Sequence, residues 1–366
     1  MVKKIVHFHP NSGMAAIFVQ PLVDFERSNG YKSTIVTSHK STQFDAESIP
    51  YDLRLENILL LPYAFIKLCF FLYVSKPNLV ICHNSRSALL PILAARLVGI
   101  QSCIYFNHGV PSIFYKGLLG FVLECIEAVI LRFSSEVITV SCDMKKELSR
   151  INSRAIISLI GAGSASGINL DLFNATHNKR DFNAKFGLSN DDFLVAYIAR
   201  PEDRKGFSAA LYLWTKYFTD SHYKLIMCGP SEFDVKSKIN EVPQNIIPLG
   251  FTKDIPEILA NANCLILPSL HEGLSYAVLE AMASGCIPIA NNIPGISELI
   301  TDGLNGFLIT KNEIEAYARM ILFLESLSRE EIFQMKEECM NKSKKYSRDI
   351  FLESYSKKLM SIFKVN

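Results

Sequence analysis

Glu272 and Glu280 stand eight residues apart in a stretch, 268–285, suited to holding both an anion and a set of hydroxyls. The apolar run Cys264-Leu265-Ile266-Leu267 just before it reads as a buried strand. A turn at Gly273 follows, then a segment of good helix formers, with Gly285 as a natural stop. Strand, glycine turn and helix start would set the backbone N–H groups of Gly273, Leu274 and Ser275 at the positive end of a helix dipole, a ready anion site. Carboxylates beside it accept hydrogen bonds from hydroxyls. Together they suit a ligand with phosphates at one end and a sugar at the other. The plain alternative is a pair of exposed helix-surface glutamates, the usual place for that residue. Against it, Glu272 precedes the helix and lies between apolar segments.

Further candidates also fall just after apolar runs. The run 193–199 ends in Arg200-Pro201-Glu202-Asp203-Arg204-Lys205-Gly206, whose cations Arg200 and Lys205 can clamp a diphosphate through charge-assisted hydrogen bonds. The competing reading is a solvated charged loop. Gly229 and Phe251 follow two other such runs, where backbone or ring can approach a flat nucleotide base. His108 follows the run 102–106 among Asn and Gly, which suggests substrate contact, although a lone histidine is more often structural. Gly13, after the first run, can offer backbone N–H groups to a phosphate or sugar; it is not part of a dinucleotide fingerprint.

These residues need elements to position them. The chain has 366 residues, 49% of them hydrophobic and 20% charged, enough for two ordinary domains. Strands over 5–9, 33–37, 79–82, 102–106, 136–140 and 155–160 alternate with helices over 14–27, 59–74, 85–98 and 114–133. The alternation restarts with strands over 193–199, 223–228, 246–249, 264–267 and 287–290 and a helix over 208–218, and the tail beyond 312 is helical. This pattern predicts an α/β protein of two doubly wound, Rossmann-like domains, each a parallel sheet with helices on both faces. We place the N-terminal domain at 1–170, a Gly-, Ser- and Asn-rich linker at 171–192, the C-terminal domain at 193–346 and a last helical segment at 347–366. Ligands of open parallel sheets bind beyond the carboxyl ends of the strands, so two such domains would share a cleft there.

Composition excludes several classes. Net charge is +2, with no basic footprint for nucleic acid. Residues 1–180 carry 18 Lys and Arg against 12 Asp and Glu, and this half is rich in Phe, Leu and Ile, which fits an anionic membrane surface or, equally on charge alone, an ordinary solvated one. Two apolar stretches, 58–74 and 113–133, are interrupted by charge or proline and fall short of a span of roughly 20 apolar residues. They read as helices of a soluble domain that touch the bilayer peripherally. Nine cysteines without a CxxC pair indicate a reducing, cytoplasmic setting and no structural zinc. The short apolar run after Met1 is a strand rather than a signal peptide. No P-loop, GxSxG, HExxH or Asp-x-Asp occurs, so no metal site is expected and phosphate charge falls to Arg200, Lys205 and the helix N-terminus.

With these residues in view, the chain resembles the retaining family 4 glycosyltransferases of the GT-B fold. The motif Pro-Ser-x-x-Glu272-Gly-Leu-Ser…Leu-Glu280-Ala-Met-Ala-x-Gly carries the likeness, with Arg200…Lys205-Gly206 and Pro294-Gly295-x-x-Glu298…Gly303-x-Asn305-Gly306 in support. The N-terminal half matches in layout, with Gly13 and His108 as point resemblances. The resemblance implies transfer of a sugar from a nucleotide-diphosphate donor to an acceptor hydroxyl with retention. Glu272 would bind donor-sugar hydroxyls, Glu280 the ribose, Arg200 and Lys205 the diphosphate, and His108 the donor sugar or the acceptor. No cofactor is implied; a UDP-sugar is expected as co-substrate ahead of a GDP-sugar, and the last helix would cross back onto the N-terminal domain. A polyprenyl-diphosphate-linked saccharide at the inner face of the cytoplasmic membrane, as in O-antigen or capsule assembly, is the expected acceptor. The sequence departs from the family at Ala199, where Gly is usual, and at Ser275, where Pro is common. A nucleotide-sugar epimerase of related fold and a non-catalytic sugar-nucleotide binder are the alternatives.

Overall fold

The computed structural model describes residues 2–40, 46–53, 59–174, 179–219 and 222–365, divided into two compact units: Met1–Gly167 with Arg348–Asn366, and Ile168–Ser347. Ile58, which opens the stretch 58–74, and residues 175–178 of the expected linker lie outside the described residues.

In the first unit the strands are β1 (Lys4–His9), β2 (Lys32–Thr37), β3 (Glu47–Ser48), β4 (Leu79–His83), β5 (Cys103–Asn107), β6 (Glu136–Thr139) and β7 (Ile157–Leu159). Its helices before the chain crosses over are α1 (Ser12–Phe18), α2 (Gln20–Ser28), α3 (Leu61–Ser75), α4 (Ser85–Leu97), α5 (Gly117–Phe133) and α6 (Cys142–Ile151). All pairings are parallel, in the order β3-β2-β1-β4-β5-β6-β7. Strands β4 and β5 are buried at every position, as expected of strands covered on both faces. The single helix expected over 14–27 is instead α1 and α2, which meet at Val19. Pro21 explains the break: it lacks an N–H and fits only a first turn, so a new helix starts there.

The second unit contains α7 (Leu170–Phe173), α8 (Lys179–Phe186), β8 (Phe193–Ile198), α9 (Phe207–Tyr217), β9 (Tyr223–Cys228), α10 (Glu232–Ile239), β10 (Ile246–Gly250), α11 (Ile255–Asn261), β11 (Cys264–Leu267), α12 (Tyr276–Ala283), β12 (Ile287–Asn291), β13 (Phe307–Ile309), α13 (Ile314–Ser326) and α14 (Arg329–Lys344). Its sheet is also parallel, ordered β10-β9-β8-β11-β12-β13. Segment 171–192, expected as a linker, belongs to this unit: it contributes part of α7 and all of α8, which pack on α11 and α12. Phe173 and Phe182 are buried there, so apolar anchors outweigh the polar composition that suggested a linker.

The last helix, α15 (Arg348–Val365), belongs to the first unit. It buries Phe351, Tyr355 and Leu359, and Tyr355 donates to the Glu26 carboxylate on α2. Strand order reverses direction between β1 and β4 in the first sheet and between β8 and β11 in the second. Loops leaving the carboxyl ends of such a pair diverge to opposite faces and open a crevice, where ligands of open parallel sheets bind.

Candidate functional site

Lys205 and Glu272 meet at the β8/β11 reversal. Lys205 Nζ donates to both carboxylate oxygens of Glu272, each at 2.8 Å, and Glu272 is only 8% exposed. The backbone brings them there. After β8 the chain makes a short 3-10 turn, Asp203–Lys205, closed by Gly206 at φ 74°. A Cβ on Gly206 would lie 2.3 Å from the carbonyl oxygen of Pro268, at the end of β11, so the two loops touch only because this residue is glycine. Leu270 N–H donates to the Arg204 carbonyl at 2.9 Å, and Tyr197 Oη to the Lys205 carbonyl at 3.2 Å. Beneath them Asn291 Nδ2 donates to the Ser269 carbonyl at 2.9 Å, and Tyr317 Oη to Asn291 Oδ1 at 2.9 Å. Burial first, then the Glu272 charge, pushes the Tyr197 phenol well above its ordinary range. Burial lowers His271, with the Arg204 and Lys205 cations acting the same way and Glu272 opposing.

From Glu272 the chain enters α12. Gly295, at φ 79°, presses its backbone on Gly273 and accepts the Ser275 N–H at 3.0 Å. Ser275 Oγ in turn caps the helix, accepting from Val278 N–H at 3.5 Å. The Ser275 N–H expected to face a ligand is therefore already used within the chain. Those of Gly273 and Leu274 make no protein hydrogen bond among the described residues. Glu280, further along α12, has no side-chain hydrogen bond or ion pair among them either, and burial pushes its carboxyl up to about 7. A half-buried carboxylate without a donor and two open N–H groups at a helix start match hydroxyls and a phosphate respectively.

Other expected residues lie apart from this pair. Arg200 is 64% exposed on its side chain and is held by Glu202 at 2.7 Å, with Arg204 on the same carboxylate at 2.9 Å. The two cations do not converge: Lys205 is engaged by Glu272, and Arg200 by its own loop. Gly229, at φ 110°, packs on the strand end of β8, where a Cβ would meet the Ala199 carbonyl oxygen at 2.0 Å; this close approach accounts for the glycine. Phe251 is 89% exposed and follows β10, which β9 separates from β8. A pocket of about 450 Å³ lined in part by Phe173, Ala283, Ser284 and Lys344 lies at the far end of α12 from Glu272.

In the first unit His108 follows β5 and joins a histidine cluster. His83 Nδ1 lies 3.0 Å from His108 Nε2, His7 Nδ1 lies 3.1 Å from His83 Nε2, and His7 Nε2 lies 3.1 Å from both oxygens of Glu26. His9 stands beside them, hydrogen-bonded to Asn11 and Asn84. Burial lowers His108 to about 3 and His9 to about 4, and it drives His83 well below the ordinary imidazole range. Among the described residues no group of three or more His, Cys, Asp or Glu side chains is arranged to hold a metal ion. Gly13 lies in α1 behind Asn11, whose side chain caps Met14 N–H at 3.0 Å, and Gly13 N–H has no protein partner among the described residues. The sequence singled out His108 and Gly13 as candidates but not His7, His83 or Glu26. The available signal was a histidine at or just past the carboxyl ends of three neighbouring strands, β1, β4 and β5.

Residues 178–346 match the family model described as glycosyl transferases group 1. Over 265 residues the chain is 26% identical to an Escherichia coli UDP-Gal:alpha-D-GlcNAc-diphosphoundecaprenol alpha-1,3-galactosyltransferase, covering 68% of this chain and 66% of that one. It is 23% identical over 267 residues to the Staphylococcus aureus capsular polysaccharide biosynthesis glycosyltransferase CapM, covering 70% of each. The chain thus spans about two thirds of the length of these relatives. Among solved structures it superposes on Anabaena Alr3699/HepE in complex with UDP and glucose with a TM-score of 0.82 at 16% identity, covering 98% of this chain and 100% of that one. A sucrose-phosphate synthase from Thermosynechococcus elongatus gives 0.85 at 16% identity over all of both chains. The expected fold class is thereby confirmed as the GT-B type.

Proposed function

We propose, on the match of residues 178–346 to the group 1 glycosyl transferase family model, that the chain moves a sugar from a UDP-sugar to a hydroxyl of a lipid-linked saccharide, with retention, in surface-polysaccharide assembly. The observation that carries this reading is the β8/β11 site: a buried Glu272 fixed by Lys205, followed by the N–H groups of Gly273 and Leu274 and the Glu280 carboxylate, none of which has a protein partner among the described residues. Glu280 accepts from the ribose hydroxyls. Glu272, already oriented, accepts from hydroxyls of the sugar to be transferred. The diphosphate lies against the start of α12 and draws Lys205, and Arg200 from Glu202, toward it.

The bond that breaks joins the anomeric carbon to the β-phosphate oxygen, and its electron pair leaves with the phosphate. Lys205, Arg200 and the N–H groups meet the negative charge that develops there, which lowers the barrier without a metal ion. The acceptor oxygen bonds to the anomeric carbon on the face the phosphate vacates, and its proton passes to the leaving phosphate. Similar proteins favour the donor and acceptor chosen: one uses UDP-Gal and a diphosphoundecaprenol-linked sugar, and the HepE complex holds UDP and glucose. The site of action in this reading is the inner face of the cytoplasmic membrane, with peripheral contact.

The test is a thermal-shift screen of UDP-, GDP- and ADP-sugars, followed by nucleotide release with a polyprenyl-diphosphate saccharide. UDP-sugars are expected to stabilise the chain by mass action and to release UDP only when acceptor is present. Absence of a shift with every donor, or conversion of donor without acceptor, overturns the reading.

A further inference from the structure

The histidine cluster of the first unit has a direction, and the anchor that sets it is a carboxylate. Glu26 is fully buried on α2 and receives hydrogen bonds from two sides. Tyr355 of α15 donates its hydroxyl to Oε1, and His7 Nε2 lies 3.1 Å from both oxygens. Taken as a carboxylate, which only accepts, Glu26 requires both neighbours to donate. Burial, reinforced by the Glu26 charge, holds the Tyr355 hydroxyl protonated, in keeping with that role.

With one proton on each ring, everything beyond Glu26 follows. His7 carries its proton on Nε2, so its Nδ1 accepts, and His83 Nε2 at 3.1 Å must donate to it. His83 Nδ1 then accepts from His108 Nε2 at 3.0 Å. His108 is left with a lone pair on Nδ1, which has no partner among the described residues. His9 does not interrupt the order: its ring centroid is 5.9 Å from that of His83 and 6.3 Å from that of His108, and its nitrogens bond to Asn11 and Asn84. The stack of Phe106 on both His83 and His108 fixes the ring planes.

We propose that Glu26, acting through His7 and His83, fixes the tautomer of His108 so that Nδ1 is presented as a hydrogen-bond acceptor for a hydroxyl of a saccharide bound to the first unit. Glu26, His7 and His83 are positioning residues, and only His108 touches ligand. The ligand half of this inference rests on the glycosyl-transfer reading above; the tautomer half does not. A second proton on His7 would reverse every donor and leave His108 with Nδ1–H, so the two states differ at an observable atom.

The experiment is a long-range proton–nitrogen correlation spectrum of the full chain labelled with nitrogen-15 histidine. Expected is a neutral His108 with a pyrrole-type Nε2 and a pyridine-type Nδ1. In Glu26→Gln the amide can present either N–H or C=O to His7, so His108 is expected to lose its single tautomer, with kcat falling on the order of tenfold and donor KM little changed. In Tyr355→Phe the carboxylate remains acceptor-only, and His108 keeps the wild-type tautomer. A wild-type His108 protonated on Nδ1, or a His108 signal identical in wild type and Glu26→Gln, overturns the proposal. If Glu26→Gln does not fold, the wild-type spectrum decides alone. Transfer activity with the wrong tautomer sinks this inference only, whereas the right tautomer without transfer sinks the glycosyl-transfer reading and the ligand half of this inference and leaves the tautomer half standing.

Discussion

Lys205 and Glu272 hold each other where little water reaches, with side-chain exposures of 19% and 9%. Removing one strands the other, so Lys205→Met is expected to cost roughly 3 kcal/mol in a urea melt, the lower end for breaking a buried pair. Transfer should fall by about 100-fold or more, since a donor to the developing phosphate charge is gone. Unchanged stability would show that Glu272 is solvated after all. Glu280 behaves oppositely, because it has no partner among the described residues and burial raises its carboxyl from 4.5 to about 7. Between those values the folded chain keeps a proton that the unfolded chain has lost, so this group's contribution to stability falls as pH rises through the window and the full penalty stands above pH 7. Glu280→Gln is therefore expected to stabilise the free protein by roughly 3 kcal/mol near pH 8 and by under about 1 kcal/mol near pH 5. The same variant should bind a UDP-sugar more weakly, whereas Glu272→Gln should chiefly slow turnover. A variant no more stable than wild type at pH 8 sinks the first half of that expectation. Glu272 was legible because an acid between a buried strand and a helix start is an unusual placement. The exposure of Arg200 was not, because it depends on whether its loop lets Glu202 reach it. Neither was the line from His7 to Glu26 and His83, whose members are 19 and 76 residues apart in sequence.

Elements place these residues through a few close approaches. Gly206 is the one that joins the Lys205 and Glu272 loops, since its φ of 74° and the Pro268 carbonyl each exclude a side chain. Gly206→Ala must push the β8 and β11 loops apart, taking Lys205 from Glu272, and is expected to cost more than about 1 kcal/mol in strain alone. Donor binding, followed by calorimetry, should be lost while the far-UV spectrum of the sheets stays native. Wild-type affinity in that variant would show that the loop contact does not position the lysine. The longer elements were readable from the sequence: β9 runs over Tyr223–Cys228 as expected, and β8 is buried at every position. Elements with little apolar signal were not. Helix α6 buries only Met144 and Leu148, α11 has seven residues with Pro256 in its first turn, and β13 has three. The order of the strands was out of reach for a different reason. Pairing of β1 with β4, Ile5 beside Leu79, is a contact between distant segments that no local pattern encodes.

For the molecule as a whole, the surface left uncovered is as informative as the core. Helix α4 packs against both α3 and α5, and these two expose large apolar side chains: Tyr63, Ile66, Phe70 and Tyr73 on α3, Leu118, Leu119 and Phe121 on α5. Lys67 and Lys116 accompany them. Large apolar side chains exposed in such number on two helices suit a surface that something covers. None of the described helices is long and apolar enough to cross a membrane; the function proposed above lays this surface on a bilayer. Attraction to anionic headgroups supplies about 1 kcal/mol per lysine and fades with salt, while apolar burial supplies a part that does not. Flotation with phosphatidylglycerol vesicles is therefore expected to carry the wild-type chain upward at low salt and a smaller fraction at high salt. Phe70→Ser combined with Phe121→Ser should abolish the salt-resistant fraction and slow transfer to a lipid-embedded acceptor, yet spare transfer to a detergent-soluble one, because neither residue belongs to the Lys205–Glu272 site or the histidine line. Wild-type protein that stays wholly in the soluble fraction at low salt would remove the membrane from this reading, and the apolar face of α3 and α5 would then need a protein to cover it.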